Sequence, residues 1–72
     1  MSSINIVFAG NHRQYMDWIE RQGYSTRDYR YISRPEQLLG LHNTNTFFVG
    51  TWEQHSVIKT DEFQIYMSRN VR

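Results

Sequence analysis

The fold is decided by the first apolar stretch of the chain, Ile4-Asn5-Ile6-Val7-Phe8-Ala9-Gly10-Asn11. Every residue from Ile4 to Ala9 is apolar except Asn5. A run of this kind, rich in β-branched side chains, is typical of a strand that is covered on both faces, as in a parallel sheet. Gly10 ends the strand and Asn11 can cap a helix that follows it. The sequence therefore predicts a strand-to-helix transition at this point.

A helix is expected between Asn11 and Gly23. Asn11 and Gln14 have the spacing of a capping box, and Gly23 can adopt the left-handed conformation at a helix end. The apolar positions recur at the spacing of one helix face: Tyr15, Trp18, Ile19 and the aliphatic stem of Gln22. The polar segment 24–28 then leads into a second predicted strand, residues 29–33. Together these elements form a βαβ unit, whose right-handed crossover makes the two strands parallel.

The middle of the chain repeats the pattern of its start. Ser33 and Glu36 have the spacing of a second capping box, and the leucines up to Leu41 predict a helix of two turns. Residues 46–49 are a third apolar strand, and Gly50 ends it as Gly10 ends the first. The sequence thus predicts a second strand-helix-strand unit that shares its first strand with the one before.

The last segment fits two patterns. A turn opens it, with Thr51 and Gln54 as a capping pair. Helical spacing relates Phe63, Tyr66, Met67 and Val71, whereas strand-like alternation relates Phe63, Ile65 and Met67. The helix is preferred, because Thr60 can cap it and the charges at its two ends, Asp61, Glu62 and Arg69, suit the helix dipole. We therefore predict one small α/β domain over residues 1–72, with a three-stranded parallel sheet in the order 2-1-3, β-α-β-α-β topology and a C-terminal helix.

Length and composition limit what the chain can be. It has 72 residues, of which 39% are hydrophobic and 15% aromatic, with no cysteine and a formal net charge of +1. A chain of this size builds one core and here has no disulfide to support it. Its apolar runs are far shorter than the ~20 residues that cross a bilayer, and its first residues lack the pattern of a signal peptide. These features predict a cytoplasmic protein that makes no membrane contact.

No motif in the sequence indicates catalysis or a bound cofactor. The three histidines, at positions 12, 42 and 55, lack the close spacing of metal ligands. No serine lies in a nucleophile-elbow motif, and neither the G-x-G-x-x-G nor the G-x-x-x-x-G-K-[ST] phosphate-binding spacing occurs. We therefore expect a non-enzymatic protein without a metal site or a cofactor.

One candidate ligand site lies at the carboxyl edge of the predicted sheet, where open parallel sheets bind ligands. Asn11, His12 and Arg13 follow the first strand, and Thr51 follows the third. A helix N-terminus and a guanidinium at this edge would suit a nucleotide or another phosphorylated ligand. This is one of two alternative functions that the sequence allows; the other is binding of single-stranded nucleic acid by the segment described next.

A second candidate site is the segment 24–34, which alternates three tyrosines with three arginines. Arginine and aromatic residues are enriched at protein-protein contacts, and the same pair of residue types can stack on single-stranded nucleic acid. The nearly neutral charge favours a protein partner, with self-association as a homodimer the simplest case. We expect Phe8, Trp18, Phe47 and Phe48 to lie in the core. The residues expected to contact the partner are Tyr29, Arg30, Arg34 and Trp52.

Three stretches give the chain a resemblance to small bacteriophage-encoded proteins of unknown function with a half-Rossmann sheet. They are residues 6–10, residues 31–41, which include the run R-P-E-Q-L-x-G-L from Arg34 to Leu41, and residues 48–52. The similarity spans about residues 4–54. It implies a three-stranded parallel core and a phage or prophage origin, and it carries no catalytic residues. The function that we favour is a non-enzymatic interaction protein, an accessory factor of a phage that acts on a host or phage protein.

Overall fold

Three parallel strands form the centre of the molecule in a computed structural model, which describes residues 4–41 and 44–70. The strands are β1 (Asn5–Ala9), β2 (Tyr29–Tyr31) and β3 (Asn45–Val49), in the order β2-β1-β3. In register, Val7 of β1 lies between Tyr31 and Phe47. The predicted parallel sheet and its strand order are confirmed. His42 and Val71, which figured in the sequence predictions, lie outside the described residues.

Helix α1 (His12–Gln22) covers one face of the sheet. Asn11 caps it by accepting a hydrogen bond from the Gln14 backbone N–H at 2.9 Å, and Gly23 ends it with φ 71°. These local signals made both ends predictable. The predicted apolar face is confirmed except for Gln22, which is exposed. The core on this side consists of Val7, Ala9, Tyr15, Ile19 and Val49.

The other face is covered by helix α2 (Asp61–Asn70) and by short 3₁₀-helices at Pro35–Leu38, Trp52–Gln54 and Ser56–Lys59. The predicted C-terminal helix is confirmed, and the Thr60 hydroxyl accepts from the Phe63 N–H, as an N-cap does. The core on this side consists of Ile6, Phe8, Ile32, Leu38, Val57, Phe63 and Tyr66. Within residues 4–41 and 44–70, the helices are all too short and too polar to span a bilayer.

The connection from β2 to β3 differs from the predicted two-turn helix. It contains a single 3₁₀-helix of 4 residues, because Gln37 folds back on its start: Oε1 accepts from the N–H groups of Ser33, at 2.8 Å, and Arg34, at 3.0 Å. Gly40 then adopts φ 77°, which ends any helical continuation. The capping role predicted for Glu36 is therefore performed by Gln37.

Hydrogen bonds tie the start of β3 to α2. The Tyr66 hydroxyl lies 2.6 Å from Thr44 Oγ1 and 2.7 Å from Thr46 Oγ1, where either partner can donate. Asn70 accepts from the Thr44 backbone N–H at 3.2 Å and donates to the Leu41 carbonyl at the same distance. The position at which β3 begins is thus fixed by the C-terminal helix.

Candidate functional site

The carboxyl edge of the sheet is closed by Gln14. Its Oε1 accepts from the backbone N–H of Gly10, at 2.9 Å, and from that of Thr51, at 3.0 Å. Its Nε2 lies 2.9 Å from Thr51 Oγ1, to which it donates. The side chain therefore joins the turn after β1 to the turn after β3. The reciprocal capping bond predicted for Gln14 is wrong, and Thr51, engaged with Gln14, makes no side-chain cap for the 3₁₀-helix that follows it.

This arrangement bears directly on the predicted ligand site. Two backbone N–H groups converge on one oxygen atom, as they would on a phosphate oxygen, but that oxygen belongs to Gln14. The space around it is also filled, since a Cβ atom added to Gly10 would lie 2.1 Å from Thr51 Oγ1 and 2.9 Å from the Thr51 carbonyl oxygen. Thr51 and the start of α1 do meet at this edge, as predicted.

The predicted ligand residues His12 and Arg13 have different surroundings. Both are exposed, but the His12 ring meets Tyr31 edge-on, with centroids 5.6 Å apart. His55 meets the same Tyr31 ring at 6.0 Å. Burial raises the pKa of the Tyr31 hydroxyl and of the Tyr15 hydroxyl, whose rings stack at 5.3 Å. The two histidines thus border a stacked tyrosine pair, of which Tyr15 is buried and Tyr31 half-buried, an arrangement that the sequence spacing did not reveal.

Tyr29 belongs to an aromatic cluster on the α1 face. Its ring is parallel to that of Tyr24, with centroids 4.3 Å apart and 7° between the planes, and Trp18 and Phe47 pack on it at 5.6 Å. Beside the tyrosine pair, at the amino ends of the strands, lies an open cleft of about 620 Å³. The cleft is lined by Ile4, Asn5, Gly23, Tyr24, Ser25, Arg27, Asp28 and Tyr29.

The other three residues predicted to bind a partner lie apart from Tyr29. Arg30 alternates with Tyr29 along β2 and therefore faces the α2 side of the sheet, where it is exposed. Arg34 is exposed after the end of β2. Trp52 is half-buried at the other edge of the sheet, on the α2 side, where it packs against Phe48 of β3. The four side chains therefore do not form one surface.

The environment of Phe48 differs from the predicted one. Its side chain is 39% exposed, although the apolar run predicted it to be buried. It stacks on Phe8 at 5.8 Å on one side and lies 4.4 Å from the Trp52 ring on another. Two features together identify it: β3 lies at the edge of the order β2-β1-β3, and Phe48 points to the face of the sheet opposite α1. Exposed Phe48 and half-buried Trp52 are here called the edge aromatic pair.

In the part of the chain that the structure describes, no three side chains of His, Asp or Glu come close enough together to hold a metal ion. His12 and His55 are separated by the Tyr31 ring. His42, the third histidine of the sequence, lies outside the described residues.

Comparison of the chain with models of known families, with curated proteins and with solved structures finds no match. What these surfaces can bind is therefore argued from their own geometry and chemistry.

Proposed function

We propose that the chain is a non-enzymatic protein-interaction module that binds a strand of another protein chain along the outer edge of β3. The observation that carries this proposal is the edge aromatic pair. Phe48 is 39% exposed, and its ring lies tilted against that of half-buried Trp52 with the centroids 4.4 Å apart, so two aromatic side chains lie side by side at one edge of the sheet. Exposed aromatic surface of this kind typically marks a site of association.

Strand addition would use both features of this edge. The backbone of an edge strand presents free N–H and C=O groups to an added strand, and these supply affinity without dependence on sequence. The edge aromatic pair would supply the apolar contact area and the preference for particular side chains. Trp52 thus keeps the role expected for it from the sequence, and Phe48 joins it.

The arginines enter the proposal differently. Arg30 and Arg34 belong to the opposite edge of the sheet and are exposed there, so they would contact a second partner or an extended one. Tyr29 lies within the aromatic cluster on the α1 face, where it supports the fold. The resemblance to bacteriophage proteins extends the proposal to an accessory role in which the bound strand belongs to a host or phage protein.

The test is capture by immobilised chain from a bacterial lysate to which untagged copies of the chain have been added. Wild type is compared with Phe48→Ser and with Ile65→Ser, which removes a similarly exposed apolar side chain, 48% exposed, from α2. We expect wild type and Ile65→Ser each to retain a protein, and the untagged chain counts as one. Retention by Phe48→Ser should fall roughly tenfold, the effect of losing about 1.4 kcal/mol of binding free energy.

Mass spectrometry of the retained proteins gives the result, and circular dichroism shows that the variants are folded. If all three proteins retain the same set in the same amounts, the edge aromatic pair is not a binding surface and the proposal fails.

A further inference from the structure

The two outer edges of the sheet differ in a way that bears on partner choice. The β2 edge is 3 residues long and carries the charged Arg30. The β3 edge, Asn45-Thr46-Phe47-Phe48-Val49, is 5 residues long and contains neither a charge nor a proline. Short length, charge and proline are the usual devices that keep sheet edges from pairing with other strands. The β2 edge has two of these features, short length and a charge, and the β3 edge has none of the three.

The backbone groups available on β3 can be identified from its pairing. Asn45 donates its N–H to the Ile4 carbonyl at 2.9 Å, so Asn45 faces β1. Successive residues of a strand direct their backbone groups to opposite sides, so Phe47 and Val49 also face β1. The N–H and C=O groups of Thr46 and Phe48 therefore face outward, giving four groups on one edge.

We propose that the strand bound at this edge is β3 of a second copy of the chain, antiparallel to the first across a two-fold axis at Phe47. This inference rests on the proposed function and names its partner. In this register Thr46 lies opposite Phe48 of the second copy, and Phe48 lies opposite Thr46 of the second copy. Each pair exchanges two hydrogen bonds, so all four outward groups of each copy are satisfied. The two sheets become one of six strands.

The structure excludes the neighbouring registers. An axis at Thr46 would place Phe48 opposite Thr44, whose N–H already donates to Asn70 Oδ1 at 3.2 Å. An axis at Phe48 would place Thr46 opposite Gly50, which has φ 58° and has left the extended conformation. Only the axis at Phe47 pairs the outward-facing N–H and C=O groups of Thr46 and Phe48 with outward-facing groups of the second copy.

The side chains and the net charge agree with a second copy. On the α2 side, the edge aromatic pair of each copy would lie beside Thr46 of the other, which continues the apolar face across the axis. On the α1 side, the two Phe47 rings would face each other at a narrow pair, where Cα atoms are about 4.5 Å apart. A net charge of +1 on each copy opposes association only weakly.

The oligomeric state of the full chain tests the inference. Light scattering after size-exclusion chromatography should give twice the 8.7 kDa of one chain for wild type at high micromolar concentration. Phe48→Lys places a charge on the unprotected edge and should raise the dimer dissociation constant by at least roughly 100-fold. Ile65→Lys places the same charge on an exposed apolar site of α2 and should leave the dimer intact.

The register has a separate test, because the chain contains no cysteine. Phe47→Cys should form an intermolecular disulfide under mild oxidation, since facing residues of a narrow antiparallel pair have Cα atoms within disulfide range. Ile65→Cys also gives the chain a single cysteine and should not form an intermolecular disulfide. If Phe47→Cys fails to fold, hydrogen exchange of wild type replaces it. The amides of Thr46 and Phe48 should then gain protection as the protein concentration rises.

The outcomes distinguish a failure of this inference from a failure of the proposed function. A monomeric wild type at every concentration overturns the second copy as partner, and Phe48-dependent capture of a different protein would then leave the proposed function standing. A dimer that Phe48→Lys does not weaken, or a disulfide that forms only through position 65, overturns the inference as well. A monomeric wild type that also captures nothing through Phe48 overturns both.

Discussion

The Gln14 side chain bonds to the turns after β1 and β3 instead of completing the cap of its own helix. Its position three residues after Asn11 suits a capping box, in which its side chain would accept from the Asn11 N–H. The folded chain brings Thr51 beside Gly10 instead, and Gln14 Oε1 accepts from both of their N–H groups. Because this partner is 37 positions away along the chain, no local pattern could have predicted it.

We expect Gln14→Ala to lower the free energy of unfolding by about 1–2 kcal/mol, since two backbone N–H groups lose their acceptor and one hydroxyl loses a partner. Gln22→Ala, an exposed position at the other end of the same helix, is the control and should change stability by less than about 0.5 kcal/mol. Urea denaturation followed by circular dichroism measures both. Equal effects for the two variants would show that Gln14 does not hold the turns together.

Gln14→Ala also tests the alternative ligand site, which is formed by Asn11, His12, Arg13 and Thr51. Removing the Gln14 amide opens the position that a phosphate oxygen would occupy. A panel of nucleotides applied to wild type and to Gln14→Ala should leave the melting temperatures unchanged. A ligand at 100 times its dissociation constant would add about 2.7 kcal/mol and would restore this site as the functional one.

The contact between α1 and β2 depends on the protonation of two tyrosines. Tyr15 of α1 stacks on Tyr31 of β2, and the Tyr15 hydroxyl donates to the Tyr29 carbonyl oxygen. Burial raises the pKa of both hydroxyls, because the phenolate form would lose its hydration. The folded state therefore holds their protons more tightly than the unfolded state does.

Stability should consequently be constant up to about pH 10, where unfolded tyrosine begins to ionise, and should fall as the pH rises through the higher pKa values of the folded state. Tyr31→Phe removes one of these ionisations and should make the decline shallower. Urea midpoints measured between pH 8 and 11 test this, and Ile65→Ser, which changes an exposed side chain and leaves all five tyrosines in place, is the control. A decline of the same steepness in wild type and Tyr31→Phe would contradict it.

Elements whose signals are local were predictable from the sequence. The boundaries of α1 follow from Asn11 and Gly23, whose backbone and side-chain preferences act over a few residues. The parallel direction of the strands follows from the helical crossover between β1 and β2 and from the continuous apolar character of β1. The connection at 35–38 was not predicted correctly, since Gln37 and Gly40 shorten the helix that the leucines suggested.

The candidate surface was less accessible to sequence reasoning than the fold. Phe47 and Phe48 are adjacent and chemically identical, yet the first lies against Trp18 under α1 and the second is exposed beside Trp52. Successive residues of β3 point to opposite faces of the sheet, so Phe47 lies under α1 whereas Phe48 lies on the α2 side, where its ring is less completely covered. From the sequence, Trp52 was predicted to contact a partner and Phe48 to lie in the core.

At the scale of the whole molecule, the two layers depend on one shared sheet. Ile6, Phe8 and Ile32 are fully buried only because α2 and the 3₁₀-helices cover them. A fragment of residues 1–41 keeps β1, α1 and β2 but loses that cover and the partner strand β3. We expect the fragment to be unfolded, with narrow amide dispersion in its NMR spectrum under conditions in which the full chain is folded. A dispersed fragment spectrum would show that the first half of the chain folds by itself.

The central position of β1 has a consequence for how the chain acquires its structure. Because every strand pair is parallel, no hairpin can form early, and each pairing must close a loop of more than twenty residues before any contact compensates for it. During synthesis β1 leaves the ribosome long before β3. At least one edge of β1 therefore stays unpaired until residue 49 has emerged. Folding should accordingly be slow for so short a chain, and the interval before β3 arrives is the period in which the nascent protein is most exposed to aggregation or to capture by a chaperone.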